Sequence, residues 1–390
     1  MVDVRKKVEE ITPEITQMRV HIHENPELSM KEYNTCALLE DYVKKNVKYD
    51  RLKRVGETGL FFELKGTKPG NGPTIVFRGD IDALPIQEDE HMSPRSKVPG
   101  VMHACGHDVH GTINVGAAKI LSEMKDQFSG SIYFFIQPAE EILQGAKLFL
   151  NDPEIDFDKI DAVAALHVSA ELDAGTIGVR YGAILASADG IRIRINGKGG
   201  HGAHCHTLRD PIVASAAVIN ALQTLVSRET NPANAVVISI CTIHAGEANN
   251  IVPDSVEMTG TVRTLNPADR DRMEASVKRV AASVAEAYRC TADVEYNRGV
   301  PPFICEDEWV DRALRVGKKM LGEENTKIMP YAAMGGEDFA EYTSHIPCAF
   351  VALGGGGDAP QHSDMFCIDE SAMETGSALY AQVAVDYLNS

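Results

Sequence analysis

At 390 residues the chain is longer than one hydrophobic core comfortably fills, so two domains are expected. Hydrophobic residues at 44% and charged residues at 24% are the proportions of a soluble globular protein and exclude a disordered or fibrous chain. A formal net charge of −18 excludes the basic footprint that nucleic acid and anionic membrane surfaces demand, so neither is expected as a partner.

Residues 1–10 contain no apolar signal segment, and no later run reaches the length that spans a bilayer. The eight cysteines are scattered without the spacing of a small disulfide framework, which reads as reduced thiols in a cytoplasmic protein. Val4, Val8, Ile11, Ile15, Met18 and Ile22 recur at helical spacing. Thr12-Pro13-Glu14 interrupts them, so the stretch is either one kinked helix or two consecutive helices sharing a buried face. Asn25-Pro26 ends it, and His21 and His23 read as hydrogen-bonding residues rather than ligands. A second helix is expected over 31–45.

Residues 74–77, Thr-Ile-Val-Phe, form a short apolar run that reads as a buried strand and delivers Asp80 and Asp82 beyond its end. The densest chemistry follows in 101–110, Val-Met-His-Ala-Cys-Gly-His-Asp-Val-His. Cys105 and His107 straddle Gly106, and in an irregular turn a thiolate and an imidazole can converge as they do on zinc or another transition metal. Alone, the same spacing also suits polar loop histidines. A helix over 111–124 leads to a strand at 131–136, which ends in Gln137-Pro-Ala-Glu-Glu141. Two adjacent glutamates there are either the acidic first turn of a helix or active chemistry. A third strand, 162–166, runs directly into His167, so three successive strands deliver candidate groups at one edge, where open α/β sheets gather their sites.

From 189 the pattern changes to a strand with alternating Ile and Arg, then a helix, two strands, a helix and a strand. That βαββαβ order is a ferredoxin-like unit inserted into an α/β domain. After Gly299 helix and strand alternation resumes, with a buried strand at 348–353. The four glycines that follow lack the Lys-Ser/Thr of a phosphate loop, and His362 beyond them is a further candidate ligand. Together Asp82, Cys105, His107, Glu140, Glu141, His167 and His362 are too many for one tetrahedral ion. They suit two ions about 3.5 Å apart that assist hydrolysis, with one glutamate of the pair binding metal and the other accepting a proton.

Seven motifs carry a resemblance that spans nearly the whole chain: His23-Glu-Asn-Pro-Glu27, Gly79-Asp-Ile-Asp-Ala-Leu-Pro85, Met102-His-Ala-Cys-Gly-His-Asp108, Gln137-Pro-Ala-Glu-Glu141, Gly199-Gly-His-Gly202, Asn249-Asn-Ile-Val-Pro253 and Gly335-Gly-Glu-Asp-Phe339. The chain resembles the M20 family of metallopeptidases, in its aminoacylase, hippurate hydrolase and IAA-amino-acid hydrolase subfamily. The resemblance implies an α/β fold: a zinc-peptidase-like catalytic domain with a mixed central sheet, 1–186 and 300–390, interrupted by a lid and dimerisation domain, 187–299. It implies Cys105, His107, Glu141, His167 and His362 as ligands of two divalent ions (zinc, manganese, cobalt or nickel), Glu140 as general base and acid, and Asp82 as support. Asp80 stands where wider relatives have a histidine ligand and is not expected to replace it.

On the inserted domain, the resemblance implies that His201 polarises the scissile carbonyl in a partner's active site, and that Asn250 and Arg263 meet a substrate carboxylate. Ala203-His-Cys-His206 departs from the relatives' small residue and proline before a histidine. The implied activity is hydrolysis of N-acyl-amino acids by a homodimer joined through the lid. Deacetylation of N-acetyl-diaminopimelate and dipeptide hydrolysis are alternatives within the resemblance. Outside it stand a thiol amidase with Cys105 as nucleophile and His107 or His110 as base, and a metal-dependent binding protein without catalysis.

Overall fold

The structure, a computed structural model, describes residues 4–344 and 346–390. It divides into two compact units, the first made of Met1–Gly182, Ile304–Tyr331 and Glu341–Ser390, the second of Ala183–Phe303 and Ala332–Ala340.

The first unit is built on a mixed eight-stranded sheet. Its order is Arg51–Val55, Gly59–Lys65, Ser131–Gln137, Thr74–Asp80, Ala162–Ser169, Cys348–Gly354, Ile177–Val179 and Thr326–Ile328. The four middle strands, from Ser131–Gln137 to Cys348–Gly354, are mutually parallel. Both faces of such strands are covered, which is why Ile75-Val-Phe77 and Ile132-Tyr-Phe-Phe-Ile136 read as continuous apolar runs rather than alternating ones. The helices Val4–Glu24, His107–Ser122 and Ser371–Leu388 pack on one another. The central one is buried at every position except Lys119.

Three sequence expectations shift in detail. The first helix is continuous from Val4 to Glu24 with Pro13 inside it, and Val4, Val8, Ile11, Ile15, Met18 and Ile22 all lie on its buried face. Just before the proline the Thr12 hydroxyl donates to the Val8 carbonyl at 2.8 Å. The helix expected from Gly111 begins at His107, because Gly106 at φ 94° turns the chain directly into it. The strand expected to stop before His167 continues to Ser169, so that histidine is a strand residue. The antiparallel pair Arg51–Val55 and Gly59–Lys65, which the sequence reading passed over, lies at the sheet's edge.

The second unit has an antiparallel sheet in the order Val236–His244, Ser255–Thr264, Asp189–Asn196, Thr291–Asn297. Numbered along the chain this is 2-3-1-4, the ferredoxin-like arrangement. Ile191, Ile193 and Ile195 point into a core shared with the helices Pro211–Ser227 and Pro267–Ala287, while Arg192 and Arg194 point away. Asp210 and Asn266 cap the two helices, each followed by proline at the first position. The stretch 332–340, expected in the catalytic domain, groups with this unit instead. Ala333 N–H donates to the Ile184 carbonyl at 2.9 Å and Ala186 N–H to the Gly335 carbonyl at 3.0 Å, so backbone pairing ties it there.

All eight cysteines are free thiols. Among the described residues no helix is long and apolar enough to cross a membrane.

Candidate metal centre

The parallel strands bring the candidate groups to one edge. Thr74–Asp80 and Ser131–Gln137 run in register with Asp80 opposite Gln137, so the residues that follow, Asp82 on one and Glu140 and Glu141 on the other, leave the sheet side by side. His167 is opposite Ala352 on Cys348–Gly354, the strand whose following loop carries His362. That loop is pinned where His362 N–H donates to the Ala104 carbonyl at 2.7 Å, next to Cys105. The first turn of His107–Ser122 also opens onto this edge. Gly106 makes that possible, since a Cβ there would stand 2.1 Å from Val168 Cγ2 and its φ of 94° belongs to glycine.

Hydrogen bonds fix which nitrogen of each imidazole is available. His107 Nδ1 lies 3.1 Å from Asp82 Oδ1. Asp82 is fully buried, yet its carboxyl is held below the usual range: burial opposes the charge, while His107, the Ser29 hydroxyl at 2.7 Å and the Glu141 N–H at 3.0 Å favour it. His107 Nδ1 therefore donates, and Nε2 is buried with no hydrogen-bond partner among the described residues. His167 donates from Nδ1 to the Val168 carbonyl at 2.8 Å, leaving Nε2 3.5 Å from Cys105 Sγ. Burial pushes the His167 imidazole down to about 3, so it is neutral. Glu141 Oε1 is likewise buried without a hydrogen-bond partner among the described residues, 3.9 Å from His107 Nε2 and 3.6 Å from His362 Nε2.

Among the described residues, the groups whose ligand atoms all lie within 4.8 Å of one another include three built only from the candidate residues: Cys105, His107 and His167; Cys105, Glu141 and His362; His107, Glu140 and Glu141. Cys105 is common to two of them. Burial pushes its thiol up and the nearby glutamates add to this, while Asp80, Cys105 and Asp82 outweigh burial to hold His107 well above its usual range. A cation among these groups would replace their protons, and a thiol, two tautomer-fixed imidazoles and a carboxylate are the donor set that zinc-class ions take. The residues present fit a divalent metal.

His110 is excluded from this set. Its Nδ1 lies 2.6 Å from Asp80 Oδ1 and its Nε2 accepts the Val168 N–H at 2.9 Å, so no lone pair remains for a metal or for the proton of the Cys105 thiol. Asp80 is also paired with Arg78. Asp80 is fully buried, held between Arg78 and His110. His23 is a hydrogen-bonding residue as read from the sequence, with Nδ1 2.9 Å from Asp108 Oδ2 and Nε2 2.9 Å from Glu88 Oε1. Ser29, Glu32, Arg78 and Glu88 support the site and were passed over. Ser29 reaches Asp82, Glu32 reaches Ala139, Arg78 reaches Gln137 and Glu88 reaches His23, contacts between distant parts of the chain that no local period signals.

Three expected residues lie in the second unit. His201 is exposed on the short strand Gly200–His201, paired with Ile251–Val252. Its Nδ1 accepts the Ala203 N–H at 3.1 Å, which leaves Nε2 as a donor. Asn250 is beside it, its carbonyl accepting the Gly202 N–H at 2.9 Å. Arg263 sits apart, half-buried on Ser255–Thr264, with no ion-pair partner among the described residues. His204, Cys205 and His206 are exposed on the turn Gly202–Thr207.

The sequence model of peptidase family M20/M25/M40 matches residues 76–386. N-acetyl-L-cysteine deacetylase of Bacillus subtilis is 36% identical over 376 residues, covering 96% of this chain and 88% of the relative. Hippurate hydrolase of Campylobacter jejuni is 34% identical over 375 residues, covering 96% and 97%. Thermostable carboxypeptidase 2 of Saccharolobus solfataricus is 35% identical over 395 residues, covering 99% and 98%. A solved Bacillus subtilis structure described as a dinuclear metal-binding peptidase of family M20 superposes with a TM-score of 0.86 at 33% identity, over 98% of this chain and 99% of that one. With that match and those relatives, the chain belongs to peptidase family M20/M25/M40.

Proposed function

We propose that this metal-dependent amidohydrolase cleaves the amide bond of N-acyl-amino acids, releasing a carboxylic acid and a free amino acid. The observation that carries the reading is the group of buried atoms at one sheet edge: His107 Nε2 and Glu141 Oε1 without hydrogen-bond partners, and His167 Nε2 facing Cys105 Sγ, all beside Glu140. Cys105, His107, Glu141, His167 and His362 hold two divalent ions of the zinc, manganese, cobalt or nickel class. When bound, such ions polarise a carbonyl and acidify the attacking water.

Glu140, 6% exposed, takes the proton from the attacking water as its oxygen bonds to the acyl carbon. It gives that proton to the amide nitrogen as the C–N bond breaks. Asp82 keeps His107 in its tautomer and, by accepting the N–H groups of both glutamates, keeps Glu140 and Glu141 in place. His201 donates from Nε2 to the developing oxyanion in the active site of a partner chain, within a homodimer joined through the lid. Asn250 and Arg263 receive the α-carboxylate, a role that suits an arginine with no ion-pair partner among the described residues. Eight free thiols agree with a reducing, cytoplasmic setting.

An N-acyl-amino acid and the last residue of a peptide present the same amide beside the same α-carboxylate, so both deacylase and carboxypeptidase relatives agree with this chemistry. The test is a panel of acetyl-, benzoyl- and indole-acetyl-amino acids, N-acetyl-diaminopimelate and dipeptides, assayed before and after chelation and with each metal restored. Turnover of N-acyl-amino acids that disappears with the chelator and returns with metal is expected. Turnover that survives complete metal removal but is lost on thiol alkylation would instead assign Cys105 as a nucleophile. Metal binding without turnover of any member would leave a binding protein.

A further inference from the structure

The turn that carries both glutamates is strained. Ala139 has φ 58°, left-handed backbone for a residue with a Cβ, and it sits between the end of the strand at Gln137 and the pair Glu140-Glu141. Such a conformation persists only where surrounding contacts hold it. Here three successive N–H groups are each taken by a carboxylate oxygen. Ala139 N–H donates to Glu32 Oε1 at 2.9 Å, Glu140 N–H to Asp82 Oδ1 at 3.1 Å and Glu141 N–H to Asp82 Oδ2 at 3.0 Å. Asp82 holds the last two from one side, and the first bond, the one at the strained residue, belongs to Glu32.

Glu32 is fully buried immediately before the helix Tyr33–Asn46. The same Oε1 accepts the N–H of Met30 at 2.9 Å, and Met30 is itself left-handed at φ 64°. One oxygen thus ties two strained backbones together. Burial, with Asp82 nearby, pushes the Glu32 carboxyl up to about 7. An acid in such a place costs free energy that an apolar side chain of the same shape would not.

Resting on the ligand and base roles given above, we propose that Glu32 is a positioning residue of the metal centre. Its Oε1 fixes Ala139 in the left-handed conformation and thereby sets the direction in which Glu140 and Glu141 leave the strand. What matters is an acceptor at the end of a side chain of this length. Glutamine keeps that acceptor, with its amide nitrogen in the place of Oε2, an atom buried without a hydrogen-bond partner among the described residues. Methionine keeps the volume without an acceptor, and aspartate keeps the charge but falls one methylene short.

The experiment compares Glu32→Gln, Glu32→Met and Glu32→Asp with wild type by cobalt(II) titration in visible absorption, by kcat and KM on an N-acyl-amino acid, and by thermal unfolding. Glu32→Gln is expected to keep cobalt affinity and kcat within about threefold, whereas Glu32→Met and Glu32→Asp lose about tenfold or more in both, with KM nearly unchanged. If Glu32→Met does not fold, the contrast of Glu32→Asp with Glu32→Gln decides. Wild-type cobalt binding and kcat in Glu32→Asp, or losses in Glu32→Gln as large as in Glu32→Asp, overturn the proposal. Should wild type bind cobalt yet cleave no member of the substrate panel, the functional reading fails while the cobalt spectra still decide the role of Glu32.

Discussion

Glu140 and Glu141 have the same side chain and adjacent positions, yet their surroundings divide them. Glu141 Oε1 is buried without a hydrogen-bond partner between His107 and His362, and burial raises its carboxyl while those histidines oppose the rise. A carboxylate there answers to a cation. Glu140→Gln should therefore keep its metal and lose kcat by about 10²- to 10⁴-fold with little change in KM. Glu141→Gln should lose metal, measured by elemental analysis after gel filtration. If the losses fall the other way round, the two roles exchange. The sequence placed both residues just beyond a strand, but the approach of His362 to Glu141, which sets the two apart, joins distant parts of the chain. Asp82 was legible as a site residue for the same positional reason. Its bonds to the two glutamate N–H groups depend on the register of Thr74–Asp80 against Ser131–Gln137, which no local pattern reveals.

Among the elements, the strands ending at this edge were the most legible, because parallel strands covered on both faces must be continuously apolar. The start of the helix at His107 was not. His107-Asp-Val-His110 has no amphipathic stripe because the helix is buried nearly all round, and its N-cap is a glycine with no side chain to signal it. That glycine invites a test. In Gly106→Ala the new Cβ would meet the stiff, β-branched Val168 at 2.1 Å, on backbone that L-residues disfavour. A loss of about 1–3 kcal/mol in unfolding free energy is expected, together with weaker metal binding, because Cys105 and His107 flank the strained bond. Introducing Gly106→Ala into a Val168→Ala background should cost less than in wild type, since the clash goes and only the backbone strain stays. Equal costs in both backgrounds, by denaturant unfolding, would show that the clash is absorbed elsewhere.

For the molecule as a whole, the second unit's fold was legible in its βαββαβ order and in the alternation of Ile191 to Ile195, whereas the attachment of 332–340 to it was not, because it rests on backbone pairing with 184–186. The unit also carries His201, to which the proposed function gives a role beyond its own chain. His201 is exposed, and Ala203 fixes its Nε2 as a donor, a group available to something beyond its own unit. If it completes the active site of a partner chain, homodimers of Glu140→Gln and of His201→Ala should both be nearly inactive. Mixed in equal amounts under conditions that allow subunit exchange, they form hybrids in which one site joins an intact Glu140 from one chain to an intact His201 from the other. Random pairing makes half the dimers hybrid and one of the two sites in each whole, so activity should recover to about a quarter of wild type. The exchange itself can be followed by mass, using chains of different tag length. Full exchange without recovery would place His201 in the active site of its own chain, or outside catalysis, and would turn attention to His204 and His206 on the adjoining exposed turn.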